Sequence, residues 1–159
     1  MRRQLMIVLA VIALDRLTKW LVVRRLPLGH DLSIIPGFFQ LTHWENTGAA
    51  FSMFAESTSP WRSAGLIAFS VASVVVVSLF LWKSGGKLNP TTIALSLILG
   101  GALGNLWDRV TKGTITDFLD FYIGSHHFPA FNIADSAVVI GGLLLLSPIF
   151  LTPRENVAG

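Results

Sequence analysis

The 159-residue chain has no cysteine, and Asp, Glu, Lys and Arg together make up only 13% of it. Without cysteine there is no disulfide framework, no thiolate nucleophile and no Cys-ligated zinc. Scarce charge beside 52% hydrophobic residues, gathered in long runs, excludes an ordinary soluble domain and points to a single multi-span membrane domain. The net charge of +3 is small and scattered, so no nucleic-acid footprint is expected, and Lys and Arg near membrane ends serve topology and lipid-phosphate contacts instead. No HExxH pattern is present, and His126-His127 lacks ligand spacing to other histidines or carboxylates, so neither metal nor cofactor is expected.

Four apolar runs remain, at about 5–23, 63–82, 90–107 and 130–151. Each is long enough to cross a hydrocarbon core of about 30 Å as a helix. The first resembles a signal peptide at its start, but no small-x-small cleavage site follows and the run continues through Asp15, Arg16 and Lys19. Asp15 and Lys19 are four apart on one helical face, suited either to an interfacial ion pair or to a polar structure at the membrane boundary. Ala64, Ala68 and Ala72 in the second run, and Ser96, Gly100 and Gly104 in the third, form small-residue stripes for close helix packing. Residues 24–60 form the longest segment outside the runs. Pro27, Gly29, Pro36 and Gly37 punctuate it and Phe38–Trp44 leans towards strand, so it reads as a surface β-platform in the first extracytoplasmic loop.

The polar residues concentrate the chemistry. Asp135 is placed roughly one to two turns inside the fourth run, where a carboxylate is expensive and marks a pathway or a reaction centre. Asp117, in Gly113-Thr-Ile-Thr-Asp-Phe118, is its best partner. Two adjoining carboxylates sharing a proton supply a base to activate water and an acid to protonate a carbonyl or leaving nitrogen. Asn132 shares a face with Asp135, three residues away, and Asn105, Asp108 and Arg109 project together from the end of the third run, where Asp108 and Arg109 can orient one another. Asn46 offers an amide and Gly48 a close backbone approach in Glu45-Asn-Thr-Gly, which is otherwise an ordinary turn. Lys112 and Asp120 read as surface charges.

Other chemistries remain open on these residues. A carboxylate-based proton or ion transporter also places aspartates in membrane helices, although no transporter-like repeat is visible between the halves. A serine/lysine hydrolase invokes Ser136 or Ser52 with Lys19, and a structural subunit explains the stripes but not the polar cluster.

Five blocks decide among them: Leu14-Asp-Arg-Leu-Thr-Lys19, Glu45-Asn-Thr-Gly-Ala-Ala-Phe51, Gly100-Gly-Ala-Leu-Gly-Asn-Leu-Trp-Asp-Arg109, Ile115-Thr-Asp-Phe118 and Phe128-Pro-Ala-Phe-Asn-Ile-Ala-Asp-Ser136. In this order they resemble the bacterial lipoprotein signal peptidases (signal peptidase II), four-span intramembrane aspartyl proteases. The resemblance covers nearly the whole length. It implies an all-α membrane protein with a small β element, four transmembrane helices and a platform from about Phe38 to Glu56. It further implies Asp117 and Asp135 as the catalytic dyad, with Asp15, Asn46, Gly48, Asn105, Asp108, Arg109, Asn132 and Ala134 binding substrate or supporting the dyad. Thr116 stands where an aliphatic residue is common. The implied reaction removes the signal peptide from a diacylglyceryl-modified prolipoprotein just before the lipid-modified Cys, without metal or cofactor. The implied location is the bacterial inner membrane. Arg2-Arg3, Lys83 with Lys87, and Arg154 favour cytoplasmic termini and a site near the extracytoplasmic face, although Arg24, Arg25, Arg62, Arg109 and Lys112 then lie opposite.

Overall fold

The computed structural model describes residues 1–48 and 60–151 as a mostly helical protein carrying one small antiparallel sheet. Residues 49–56 of the expected platform, which include Ala49–Phe51 of the second block and Ser52, and Arg154 of the tail lie outside the described residues. Helices α1 (Arg2–Arg25), α2 (Pro60–Lys83), α3 (Pro90–Lys112) and α4 (Ile133–Leu151) match the four apolar runs. Two of them, α2 over Ser63–Lys83 and α3, are long and apolar enough to cross a membrane, while the apolar stretch Ile133–Ser147 of α4 is shorter.

Helix ends follow local capping chemistry. Asn89 caps α3 by accepting from Thr92 N at 2.8 Å, Thr92 Oγ1 accepts from Asn89 N at 3.0 Å, and Pro90 occupies the first turn without needing a hydrogen-bond partner. At the other end α3 outruns the predicted Trp107 by more than a turn and stops at Lys112. There Gly113, at φ 78°, adopts the left-handed cap and donates to Arg109 O.

Packing inverts the pattern of a soluble core. Along α1 the buried positions are Gln4, Val8, Val11, Asp15, Lys19 and Val22, one helical stripe that is half polar. Large apolar side chains such as Leu9, Phe69, Phe80, Trp82 and Leu143 are exposed instead, as on a surface built for lipid contact. The central helix α3 packs against α1, α2 and α4. Its predicted small-residue stripe does face a neighbour: a Cβ at Gly100 would meet Val11 Cβ at 2.8 Å, and one at Gly104 would meet Asp15 Oδ2 at 2.9 Å. The stripe on α2 does not. Ala64, Ala68 and Ala72 are exposed, and α2 turns Leu66, Ser70, Val77 and Leu81 inward. Small residues alone do not say which face carries the contact.

The sheet differs most from expectation. Strands β1 (Asp31–Ile35), β2 (Phe39–Asn46), β3 (Ile115–Ile123) and β4 (His126–His127) pair antiparallel in that order, so the platform is not confined to the first loop. β3 escapes a period-two reading because Ile115–Phe118 is buried on both faces. Between β2 and β3 the register slips. Leu41 faces Leu119 but Trp44 faces Asp117, three residues against two, and such a bulge moves the later side chains to the opposite face. Asp120 is buried, not a surface charge: Gln40 Nε2 and His127 Nδ1 each lie 2.8 Å from its Oδ2, which ties β4 back to the sheet.

Helices α3 and α4 touch backbone to backbone at Gly101, where a Cβ would sit 2.2 Å from Ala134 O and 2.8 Å from Val138 Cγ2. Gly101→Ala is therefore expected to lower stability by about 1–3 kcal/mol through forced separation of the helices. Thermal unfolding in detergent should show this as a reduced midpoint. Gly142→Ala, inside α4 with nothing within 4 Å, should not lower it and gains helix propensity instead.

Candidate active site

Asp135 is reached from its own helix start. It lies in the first turn of α4, not one to two turns inside, because Pro129 and the cap at Asn132 delay the helix. Asn132 Oδ1 accepts from Asp135 N at 3.0 Å, and Asp135 Oδ2 accepts from Asn132 N at 3.1 Å. This is a reciprocal cap with a carboxylate in the role usually taken by Glu or Gln. Its position at the positive end of the helix suits a carboxylate.

The same asparagine reaches the second carboxylate. With its oxygen claimed by a backbone N–H, Asn132 turns its amide nitrogen to Asp117 Oδ1 at 2.7 Å. Asp117 is placed by β3, which Phe131 holds against the start of α4: Phe118 N and Leu119 N both donate to Phe131 O, at 3.0 and 2.8 Å. Asn46 Nδ2 donates to the other oxygen, Asp117 Oδ2, at 3.0 Å. The β2 bulge sets this up, because Asn46 faces Ile115 and so lies diagonal to Asp117 on the same side of the sheet. Gly48 fixes the Asn46 amide by donating its N–H to Oδ1 at 2.7 Å from a φ of 82°, and a Cβ there would strike Leu66 Cδ1 at 2.5 Å.

Burial pushes the Asp117 carboxyl up to about 6, with the nearby charge of Asp135 adding to the rise and hydrogen bonds from Asn46 and Asn132 opposing it. Glu45 behaves oppositely. Burial would raise it, but donation from Thr114 Oγ1 at 2.5 Å and Thr116 Oγ1 at 2.8 Å, with Lys112 nearby, holds it below the usual carboxylate range. Thr116 thus exchanges an apolar contact for a bond between β2 and β3 beside the site, and Lys112, which donates to Thr116 Oγ1 at 3.2 Å, is part of that structure.

The α3 residues divide between two neighbours. Asn105 Nδ2 donates to Asp135 Oδ1 at 2.7 Å. Arg109 donates to Ser70 Oγ of α2 at 3.1 Å and lies in the field of Asp135 and Asp117. Asp108 turns the other way. It is fully buried against Arg16 and Lys19 of α1, so Asp108 and Arg109 hydrogen-bond to different helices and do not orient one another. Asp15, also fully buried, pairs with Lys19 at 2.8 Å and accepts the N–H of Ala134 at 3.1 Å, which gives the start of α4 an anionic anchor. Ala134 is fully buried at this crossing. The pairing of Asp15 with Lys19 expected from their spacing is present, but the sequence did not connect Lys19 to Asn105 and gave Arg16 no role, because those partners lie on α3.

Beside Asp135 an apolar groove of about 510 Å³ runs between α2, α3 and α4. Phe69, Val77, Ile98 and Val139 line it, and Asn105, Arg109 and Asp135 close one end. The arrangement pairs a place for an apolar chain with two carboxylates that receive only donors. Ser136 donates to Asn132 O at 2.9 Å and Lys19 is bound by two carboxylates, so the geometry gives a serine/lysine pair no support. Among the described residues no group of His, Cys, Asp or Glu is arranged to hold a metal ion.

Known proteins match along nearly the entire chain. The family model described as signal peptidase (SPase) II covers residues 7–151. A lipoprotein signal peptidase of Solibacter usitatus is 43% identical over 148 residues, 93% of this chain and 90% of that protein. One from Photorhabdus laumondii subsp. laumondii is 42% identical over 154 residues, 97% and 91% of the two chains. Two solved structures described as a bacterial membrane enzyme, determined by the in meso method, superpose with TM-scores of 0.83 and 0.84. They share 28% and 29% identity and cover 100% and 96% of this chain and 94% and 96% of theirs. The chain therefore belongs to the signal peptidase II family, the aspartic proteases that remove signal peptides from prolipoproteins.

Proposed function

We propose that Asp117 and Asp135 form the catalytic dyad of this protease. The reading rests above all on Asn132, one residue hydrogen-bonded to both carboxylates. One ionised carboxylate takes a proton from water as the water oxygen attacks the scissile carbonyl. The other, protonated, gives its proton to the carbonyl oxygen; as the tetrahedral intermediate collapses, the first carboxyl passes the water's proton to the leaving nitrogen and the hydroxyl proton returns to the second carboxylate. Like charges close together oppose double ionisation, so the titration belongs to the pair. Asn46, Gly48, Asn105 and Asn132 hold the dyad's geometry, Asp15, Asp108 and Ala134 fix the helices that carry it, and Arg109 faces the substrate backbone.

The substrate is a prolipoprotein whose Cys carries a diacylglyceryl group, cut just before that Cys. The apolar groove beside Asp135 takes the membrane-embedded part of the signal peptide, and the lipid chains stay in the bilayer. α1 to α4 form four spans of one integral membrane domain of the bacterial inner membrane. Both termini are cytoplasmic, and the sheet lies as a platform at the extracytoplasmic face. The buried polar stripe of α1 and the apolar exterior support this placement.

The decisive assay incubates the purified protein with a diacylglyceryl-modified precursor and its unmodified counterpart and maps the products by mass spectrometry. Asp117→Asn and Asp135→Asn should each abolish cleavage of the modified precursor while the protein stays in the membrane, and Ser136→Ala should keep at least partial activity. Retained cleavage in either Asn variant would reject the dyad, and ion flux without proteolysis would favour a transporter. Cleavage should also fall as the pH rises through about 6, where Asp117 gives up the proton of the pair and the acid is lost while Asp135 remains ionised. The same elevation has a stability consequence. A carboxyl raised in the fold contributes stability below its unfolded value, and that contribution is lost as the pH rises through about 6. The stability of Asp117→Asn relative to the parent should therefore increase between about pH 4 and pH 6 and level off above, read from thermal midpoints across that range.

A further inference from the structure

We propose that Lys19 is a positioning residue for the dyad: its ammonium fixes which end of the Asn105 amide meets Asp135. The inference rests on the dyad reading above. An asparagine amide is almost symmetric in shape, and only the polarity of its neighbours decides whether oxygen or NH2 points a given way. Asp135 needs the NH2 end, which donates to its Oδ1 at 2.7 Å. The oxygen must then face a group that can only donate. A lysine ammonium is such a group, with three N–H bonds and no acceptor. Lys19 Nζ lies 3.1 Å from Asn105 Oδ1.

The ammonium is itself held without freedom. Its side chain is fully buried: it donates to Asp15 Oδ2 at 2.8 Å and to Asn105 Oδ1, and it is ion-paired with Asp108 Oδ2 at 2.7 Å, so two carboxylates and one amide oxygen hold it. Both carboxylates are fixed in turn. Asp15 accepts Ala134 N and fits only because Gly104 lacks a Cβ, while Asp108 is also paired with Arg16. If Asn105 flipped, its NH2 would face the ammonium and its oxygen a carboxylate, two repulsions in place of two hydrogen bonds. Asn132 Nδ2 supports the same orientation from 3.3 Å, but its shorter contact, 2.7 Å, is to Asp117. The charged groups around this contact are Asp15, Arg16 and Lys19 from α1, Asp108, Arg109 and Lys112 from α3, Asp117 from β3 and Asp135 from α4.

This role also accounts for the charge inside α1. Buried ion pairs are seldom worth their desolvation, and an apolar stripe would pack at least as well. A lysine there has a reason if one of its N–H bonds has work at the reaction centre.

The test measures kcat, KM and the pH profile of the full-length protein in detergent with the lipid-modified precursor. Lys19→Met should lower kcat by about 10- to 100-fold, the range for lost outer-shell partners, with KM nearly unchanged and the acidic limb moved to higher pH. Asn105→Leu should do the same, and the double variant should be no worse than Asn105→Leu alone. Asn105→Asp is the second probe. Its carboxylate keeps Lys19 paired and the bundle folded but offers Asp135 no donor, so it too should lose kcat and shift the limb upward. The proposal is overturned if Lys19→Met only lowers the thermal midpoint, leaving kcat per folded molecule and the pH profile in place, or if the two losses multiply. Should Lys19→Met fail to fold, an unmoved pH profile in Asn105→Asp overturns it equally. Asp117→Asn and Asp135→Asn run alongside: cleavage by either removes the dyad, whereas two dead aspartate variants with an unmoved Lys19→Met profile remove only the lysine's role.

Discussion

The site depends on the cap at the start of α4. Asn132 both begins the helix and joins the two carboxylates, so secondary structure and active-site geometry are set by one set of hydrogen bonds. The oxygen of Asn132 is taken by a backbone N–H, and this obliges its nitrogen to face Asp117. The same logic recurs at Asn46, whose oxygen is held by Gly48 N, and at Asn105, whose oxygen is held by Lys19. Three amides thus present only donors to two carboxylates in a buried setting, where an unmatched polar group is costly.

This constraint explains the placement of residues that touch neither Asp117 nor Asp135. Asp15 anchors the N–H of Ala134 and Gly104 makes room for it. Gly101 lets α3 approach the α4 backbone closely enough for Asn105 to reach Asp135. Arg109 ties the opposite side of α3 to α2 beside the groove. Stability is spent on buried charge, and orientation is what it secures.

Much of this was legible in the sequence. The apolar runs located four helices, and cost and spacing singled out Asp135, Asp117, Asn132, Asn105 and Arg109 as candidates, whereas Asn46 and the roles of the set came only from the resemblance to the family. What was not legible depended on contacts from elsewhere in the chain. β3 is buried on both faces and has no alternation to read, so its place in the sheet was invisible. Asp120 looked like a surface charge because Gln40 and His127, its partners, come from other strands. The alanine stripe on α2 faces outward because Leu66, Ser70 and Leu81 carry the contact instead. A helix's spacing gives faces but not the direction each face looks. For the same reason Asp108 and Arg109, adjacent in sequence, part to different helices.

The chain path to the site has one further result. Asn132 reaches Asp117 across only 15 residues, whereas Asn46 reaches Asp117 across 71 and Lys19 reaches Asn105 across 86. Closing a loop costs entropy that grows only with the logarithm of its length, but the long-range contacts also need the whole bundle assembled. The two carboxylates and Asn132 therefore form the most local part of the site, whereas Asn46 and Lys19 reach it only once distant parts of the chain are assembled.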